Sequence, residues 1–264
     1  MKEHSALDSL LAPGGIRPLY QPLYTLSSGN PRLFAFECLS RGPLATNFET
    51  ASVLFEYVRL KRQEALVDRI CISTALENLP ELAPDTKVCV NVHASTLARD
   101  SGFIDFLSRA VHTAGLSPMS VIVDVIQHAP AHDGDGFALA VKRLRDLGMA
   151  IALDDLGVGA ANFKMLLDVS PDYMKIDPCI IDGCHDDAKR AAVIESLVQL
   201  ASRLHSCVIA EGIETVDDLM IVQALGVTIV QGFLLAHPFS TKGVKVGAAT
   251  SKVVAAPDTR ELRA

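Results

Sequence analysis

The feature that most constrains this chain is an alternation of short apolar runs with longer amphipathic stretches, kept up almost from end to end. The runs are "PLYQPLY" (18–24), "RLFAFECL" (32–39), "KVCVNV" (87–92), "SVIVDVI" (120–126), "AIALDD" (150–155), "YMKID" (173–177), "CVIAEG" (207–212) and "TIVQGF" (228–233). They are apolar or β-branched on both alternating faces, as strands buried on both sides must be. Helical periodicity covers 48–61, 64–78, 102–115, 136–147, 187–204 and 216–225 between them. A strand–helix rhythm of this kind implies parallel strands joined by crossover helices, an α/β architecture.

Composition narrows the choice. Hydrophobic residues make up 49% of the 264 positions and charged residues 21%, enough to bury a large core. The net charge of −7 is spread rather than blocked, so there is no electrostatic footprint for duplex nucleic acid. No stretch approaches the length of a membrane span, and the first residues lack the apolar core of a secretory signal. The six cysteines, Cys38, Cys71, Cys89, Cys179, Cys184 and Cys207, form no C-x-x-C pair. Buried reduced thiols in a cytoplasmic protein are therefore expected, rather than a disulfide framework or a thiolate zinc site.

Polar residues fall at a telling place. Nearly every apolar run carries one ligand-type or proton-carrying residue near its C-terminal end: Glu37, Asn91, Asp124, Asp154 with Asp155, Lys175, Glu211 and Gln231. A single aspartate there is commonly a turn former or a helix N-cap. Repetition in successive runs is another matter. In a (β/α)8 barrel of the TIM type the C-terminal strand ends converge on one rim, where active sites sit. The pattern predicts such a barrel over residues 16–240, with an N-terminal extension at 1–15. A C-terminal extension at 241–264, poor in rhythm and rich in small residues, is expected to be partly frayed.

Several carboxylates, an Asn, a Gln and a Lys on one rim would repel one another without cations. Hard oxygen donors suit Mg²⁺ or Mn²⁺ rather than zinc. Adjacent aspartates can bridge two ions in phosphoryl displacement, and a lysine beside them can orient the attacking water and offset phosphate charge. The rim residues alone thus suggest metal-assisted phosphoester hydrolysis.

Six motifs, taken in order, resemble the EAL family of cyclic-di-GMP phosphodiesterases. "YQPL" (20–23) looks like the family's opening Y-Q-P strand, "ECLSR" (37–41) its E-A-L-L-R, and "NVH" (91–93) its N-x-S. "LDDLGVG" resembles D-D-F-G-x-G, and "DYMKID" resembles D-x-x-K-I-D. "AEGIET" followed by "QGFLLAHP" is similar to A-E-G-V-E-T and Q-G-Y-x-x-x-x-P. The resemblance implies a barrel whose first strand runs antiparallel to the rest, and one or two Mg²⁺ or Mn²⁺ ions. Glu37, Asn91, Asp124 and Asp154 would hold the first ion, and Asp154, Asp155 and Glu211 the second. Lys175, Glu211 and Asp155 would be catalytic. On the substrate side Gln21 and Arg41 would contact phosphate or guanine, with Gln231 and Glu214 supporting the site. The implied reaction is linearisation of cyclic di-GMP to pGpG in bacterial second-messenger signalling. The alternative is a catalytically weak EAL domain acting as a cyclic-di-GMP receptor or protein-interaction module, for which a homodimer or a signalling partner would be natural.

Three departures separate these readings. The family's E-x-T-E is "DVIQ" here (124–127), and Asp124 is one methylene, roughly 1.5 Å, shorter than Glu. Ile126 and Gln127 replace a hydroxyl and a carboxylate that help fix the loop after the aspartate pair in the family. That loop itself reads "LGVGAAN", with Ala160 and Ala161 in place of hydroxyl residues. Three other features read as structural. His128 and His132 flank Pro130 and make a poor helical metal pair, and His93 is expected as a hydrogen-bonded rim histidine. "TVDD" (215–218) has the form of a capping box.

Overall fold

The computed structural model describes residues 6–26, 31–126, 135–156 and 162–241. The apolar runs form eight strands that close into a barrel in chain order. They are β1 (Arg17–Thr25), β2 (Arg32–Arg41), β3 (Lys87–His93), β4 (Val121–Ile126), β5 (Ala150–Leu156), β6 (Tyr173–Ile176), β7 (Cys207–Ala210) and β8 (Ile229–Val230). β1 is antiparallel to both β2 and β8, and every other neighbouring pair is parallel. Helices follow the parallel strands and pack outside them, the longest being Glu64–Glu77 and Ala188–Arg203.

Because strand side chains alternate, each strand divides its residues between two cores. Phe36, Val88, Val90, Val123, Ile151, Met174, Val208 and Val230 face outward and pack under the helices. Cys38 is with them, on the strand face opposite Glu37. Leu23, Ala35, Ile209 and Ile229, with Tyr173, fill one half of the barrel interior, and Cys89, Ile122 and Ala152 fill the other. Full burial of a Leu or Ile stabilises by about 1.5–3 kcal/mol, so this floor is a packed layer that closes the barrel below its rim.

The structure differs from the sequence expectation where local context overrides periodicity. The pattern at 48–61 divides into a 3-10 turn, Asn47–Glu49, and a helix, Ala51–Leu60, because Thr50 is extended between them. The run at 228–233 is a strand only at Ile229–Val230. A Cβ on Gly232 would lie 2.0 Å from the Ile213 carbonyl oxygen. That close approach lets Leu234 donate to the same carbonyl and turns the chain out of the sheet. The helices Ala6–Leu11, Ala94–Arg99, Asn162–Val169 and Pro178–Ile181 were not anticipated; each is too short for a periodic signal. Leu10, in the expected N-terminal extension, is fully buried with Ile16, Leu54, Val58 and Val67. After β8, Phe239 pairs with Tyr20 of β1 through two backbone hydrogen bonds, laying the last described segment along the barrel wall.

All six cysteines are free, and Cys38, Cys71, Cys89 and Cys184 are buried. Among the described residues no helix is long and apolar enough to cross a membrane.

Candidate active site

Two positions beyond each floor residue, toward the C-terminal strand ends, lies a polar one: Glu37 after Ala35, Asn91 after Cys89, Asp124 after Ile122 and Asp154 after Ala152. Lys175 follows Tyr173, Glu211 follows Ile209 and Gln231 follows Ile229. In antiparallel β1 the same layer is reached two positions earlier, at Gln21, which lies opposite Glu37. Period-two alternation therefore carries eight polar side chains inward at one level. Glu211 and Gln231 fall just past their strands, held by hydrogen bonds from their N–H groups to the Ile176 and Ala210 carbonyls.

Lys175 is the hub. Its side chain is 1% exposed, and its Nζ lies 2.6 Å from Asp124 Oδ2, 2.7 Å from Glu211 Oε1, 3.2 Å from Glu37 Oε1 and 3.3 Å from Asp154 Oδ1. Gln231 Nε2 donates to Glu37 Oε2 at 2.8 Å. Asn91 Nδ2 donates to Glu37 Oε1 and to the Cys38 carbonyl, both at 3.2 Å. The shortened Asp124 still reaches the centre directly and is fully buried. Gln21 is buried and donates to the Ala236 carbonyl at 3.1 Å, which ties β1 to the segment after β8.

The charges are arranged in opposition. Burial alone would lower the Lys175 pKa, but the four carboxyls outweigh it and hold the ammonium well above its usual range. Burial would raise Glu37, yet Lys175, Gln231 and Asn91 together hold it below the carboxylate range. Asp124 goes the other way: burial, with Asp154 and Glu37 adding, pushes it up to about 8 against the pull of Lys175. Glu211 is likewise raised well above its ordinary value by burial, then by Asp154 and Glu37. Around one ammonium, Glu37 is thus held down while Asp124 and Glu211 are held up, each by the balance of burial and neighbouring charge.

The adjacent aspartates do different work. The pairing of β5 with β6 slips between Leu153 and Leu156, and Asp155 has φ of 55°, a left-handed conformation uncommon outside glycine. That bulge breaks the alternation, so the two neighbours need not point to opposite faces. Asp154 faces Lys175, while the Asp155 carboxyl bonds to Asp177, and burial with both acids pushes it up to about 6. Asp177 was not singled out from the sequence. It caps the helix Pro178–Ile181 as well.

Beside the cage a cavity of about 180 Å³ is lined by Glu37, Arg41, Phe55, Asp68, Asn91 and His93, among others. Arg41 is half-buried and donates to the Ser40 carbonyl at 2.9 Å. His93, expected as a hydrogen-bonded rim residue, is buried and bonds through Nδ1 to Asp68 Oδ1 at 2.8 Å. Sequence reasoning missed Asp68. Its signal was its place among Val67, Cys71, Ile72 and Ala75 on the buried face of Glu64–Glu77. Glu214 is exposed and makes no hydrogen bond or ion pair with the cluster. Thr215 caps the helix Val216–Ala224 by accepting from the Asp218 N–H at 3.1 Å, as the capping pattern predicted. Gln127, His128, His132 and the glycine loop at 157–161 lie outside the described residues.

The donor set suits a hard divalent ion: carboxylates and an amide oxygen on one rim. Asn91 Oδ1 and Asp124 Oδ1, opposite each other across β3 and β4, are buried with no hydrogen-bond partner. Oxygens in that state are acceptors for a cation. As they stand, no three acidic, His or Cys side chains among the described residues are spaced to hold an ion together. The carboxyls close on the ammonium instead.

A closed barrel with one antiparallel strand and a hard-oxygen rim gathered on a single lysine defines the class of this protein. Within that class it belongs to the EAL domain family, whose model matches residues 4–238. The cyclic di-GMP phosphodiesterase NbdA of Pseudomonas aeruginosa is 28% identical over 176 residues, 67% of this chain and 22% of NbdA. The blue light- and temperature-regulated antirepressor BluF of Escherichia coli is 28% identical over 152 residues, 58% of this chain and 38% of BluF. The chain thus spans well under half the length of these curated relatives. Among solved structures, the calcium and cyclic-di-GMP complex of Klebsiella pneumoniae BlrP1 superposes with a TM-score of 0.77 at 25% identity. The match covers 88% of this chain and 58% of BlrP1.

Proposed function

We propose that this chain hydrolyses cyclic di-GMP to linear pGpG with the help of one or two divalent ions, Mg²⁺ or Mn²⁺. The observation that carries this reading is the convergence of Glu37, Asp124, Asp154 and Glu211 within 3.3 Å of one buried ammonium. NbdA is named for the same activity, and BlrP1 was solved with the same nucleotide, in calcium and in manganese. Glu37, Asn91, Asp124, Asp154, Asp155 and Glu211 would hold the ions. When bound, such ions polarise the phosphate and lower the pKa of a water molecule.

The chain's own side chains do the rest. Lys175 offsets phosphate charge and orients the attacking water, with Glu211 and Asp155 completing the catalytic set. The water oxygen bonds to phosphorus and the bond to the 3′ oxygen breaks. One water proton ends on that leaving oxygen, and the 5′ phosphate of pGpG remains. Arg41 and Gln21 bind phosphate or guanine, and Gln231 fixes Glu37. The cavity is smaller than the roughly 300 Å³ that a drug-sized ligand fills, so it takes one end of the dinucleotide while the rest crosses the rim.

A second reading has one observation in its favour. Asp124, a methylene shorter than the family's Glu, is fully buried and closed on Lys175 at 2.6 Å. A weakened first ion site would leave a cyclic-di-GMP receptor, and BluF is named as an antirepressor. Incubating the protein with cyclic di-GMP and Mg²⁺ or Mn²⁺, with chromatography for pGpG and calorimetry for binding, decides between them. The enzyme reading expects pGpG release that a chelator abolishes. Nucleotide binding without product supports the receptor, and neither binding nor product removes both.

A further inference from the structure

Ammonium nitrogen has three N–H donors, and Lys175 has four carboxyl oxygens within 3.3 Å. It cannot satisfy them all at once. Two further oxygens of the same rim, Asn91 Oδ1 and Asp124 Oδ1, are buried without a partner and receive nothing from it. The cage thus contains a cation, yet has more acceptors than that cation can serve. The ammonium also lies between the carboxyls that a divalent ion would have to share. Each of them has closed on Nζ, and no three remain spaced for an ion. Among the described residues no other Lys, Arg or His makes an ion pair with these four carboxyls, and Arg41 donates to the Ser40 carbonyl of its own strand.

We propose that Lys175 is the resident counter-cation of the metal-free cage, and that a divalent ion enters by displacing its ammonium from among the four carboxyls. The side chain then has two successive tasks. It holds like charges together while the site is empty, and it is released toward the rim when the ion arrives. The unsatisfied Asn91 and Asp124 oxygens are what the ion gains and the ammonium does not. This inference rests on the reading of the cage as a divalent-ion site, but not on hydrolysis.

Two experiments test it without reference to turnover. In ¹H–¹⁵N spectra of the lysine ammonium groups, the metal-free protein should show one protected resonance, assigned to Lys175 by its loss in Lys175→Met. Saturating Mg²⁺ should shift or abolish it. A protected resonance unchanged under Mg²⁺ that demonstrably binds would overturn the proposal. In calorimetry at one fixed pH, Lys175→Met should bind Mg²⁺ about tenfold more tightly than the wild type. That corresponds to about 1.4 kcal/mol of relieved competition. Its melting temperature should be lower than wild type without metal and should rise further on adding it. Equal or weaker binding by the variant, with normal binding by the wild type, would sink the displacement while leaving the ion site intact. Failure of both proteins to bind removes the ion site and the displacement together. Should Lys175→Met not fold without metal, the wild-type spectra still decide the question.

Discussion

Two buried acid clusters stand side by side on this barrel, and they are built on opposite terms. Asp68, 2% exposed, accepts from the His93 N–H at 3.0 Å, from His93 Nδ1 at 2.8 Å and from the Thr96 hydroxyl at 2.6 Å. Each of its oxygens has a donor, and those donors open the helix Ala94–Arg99, where negative charge is favourable. In the Lys175 cluster four carboxyls crowd one ammonium with three N–H donors, two oxygens are orphaned, and Asp124 and Glu211 are pushed above the carboxylate range. A buried acid whose donors match its acceptors is architecture. A cluster with surplus acceptors is poised to take ions or protons, and its strain is offset by the rest of the fold.

If this contrast is sound, neutralising an acid should have opposite effects in the two clusters. Asp154→Asn should reduce pGpG release on the order of 10³-fold, about 4 kcal/mol of transition-state stabilisation. It should also weaken Mn²⁺ binding more than Asn91→Ala does, because it removes a charge rather than a neutral donor. Yet its metal-free melting temperature should equal or exceed that of the wild type, since three carboxyls then share the three N–H donors of the Lys175 ammonium. A variant that loses activity only in proportion to lost folding would break the comparison.

Asp68→Ala should do the reverse. It leaves the His93 N–H and the Thr96 hydroxyl buried without their acceptor, costing about 3 kcal/mol of stability. Urea titration should show the midpoint falling with the slope unchanged, and Mn²⁺ affinity of the folded fraction should stay within about twofold, well under 1 kcal/mol. Undiminished stability would mean that Asp68 belongs with the functional acids.

The remaining tests use a third buried acid, Asp218, in the first turn of the helix Val216–Ala224. Thr215→Ala removes the N-cap of Val216–Ala224 and should cost about 1 kcal/mol. The smallest effect is the pH dependence of its neighbour Asp218. Burial would raise this carboxyl, but hydrogen bonds from Thr215 and His185 hold it well below its usual range. A depressed pKa contributes stability above the unfolded value near 4 and loses it as pH falls further. His185 is raised above its ordinary value, first by its bond to Asp218. It contributes below about 6.5, and that contribution is lost as pH rises through the folded value. The melting difference between wild type and Asp218→Asn should therefore be greatest between about pH 4 and about pH 6.5 and shrink on both sides. A difference independent of pH would show that the contact is not ionic.

Legibility in the sequence followed the strength of local pattern. Glu37, Asn91, Asp124, Asp154, Lys175, Glu211 and Gln231 could be read because each sits two residues past an apolar floor position, and alternation fixes its face without further information. Asp68 escaped because one charged residue on an apolar helix face looks like noise until its partners in another element are known. The two glycines of the "AEG" and "QGF" segments were legible as motifs but not as causes. Only the fold shows that a Cβ added at Gly212, whose φ is 69°, would lie 2.6 Å from the Pro178 side chain, and one at Gly232 2.0 Å from the Ile213 backbone. Glu214 was named through resemblance; it is exposed, and among the described residues no hydrogen bond or ion pair joins it to the cluster.

What the sequence determined by itself is the barrel and its polar level, since strand periodicity and strand–helix alternation are local properties repeated eight times. What the tertiary structure alone decided is how that polar level shares its charge. Which carboxyls Lys175 reaches, which oxygens go without a donor, and how the β5 bulge gives Asp154 to the lysine and Asp155 to Asp177 all depend on distances across the barrel mouth. Those distances join residues up to 194 positions apart, Glu37 and Gln231, and electrostatic energy in a buried site depends on such separations in space rather than along the chain.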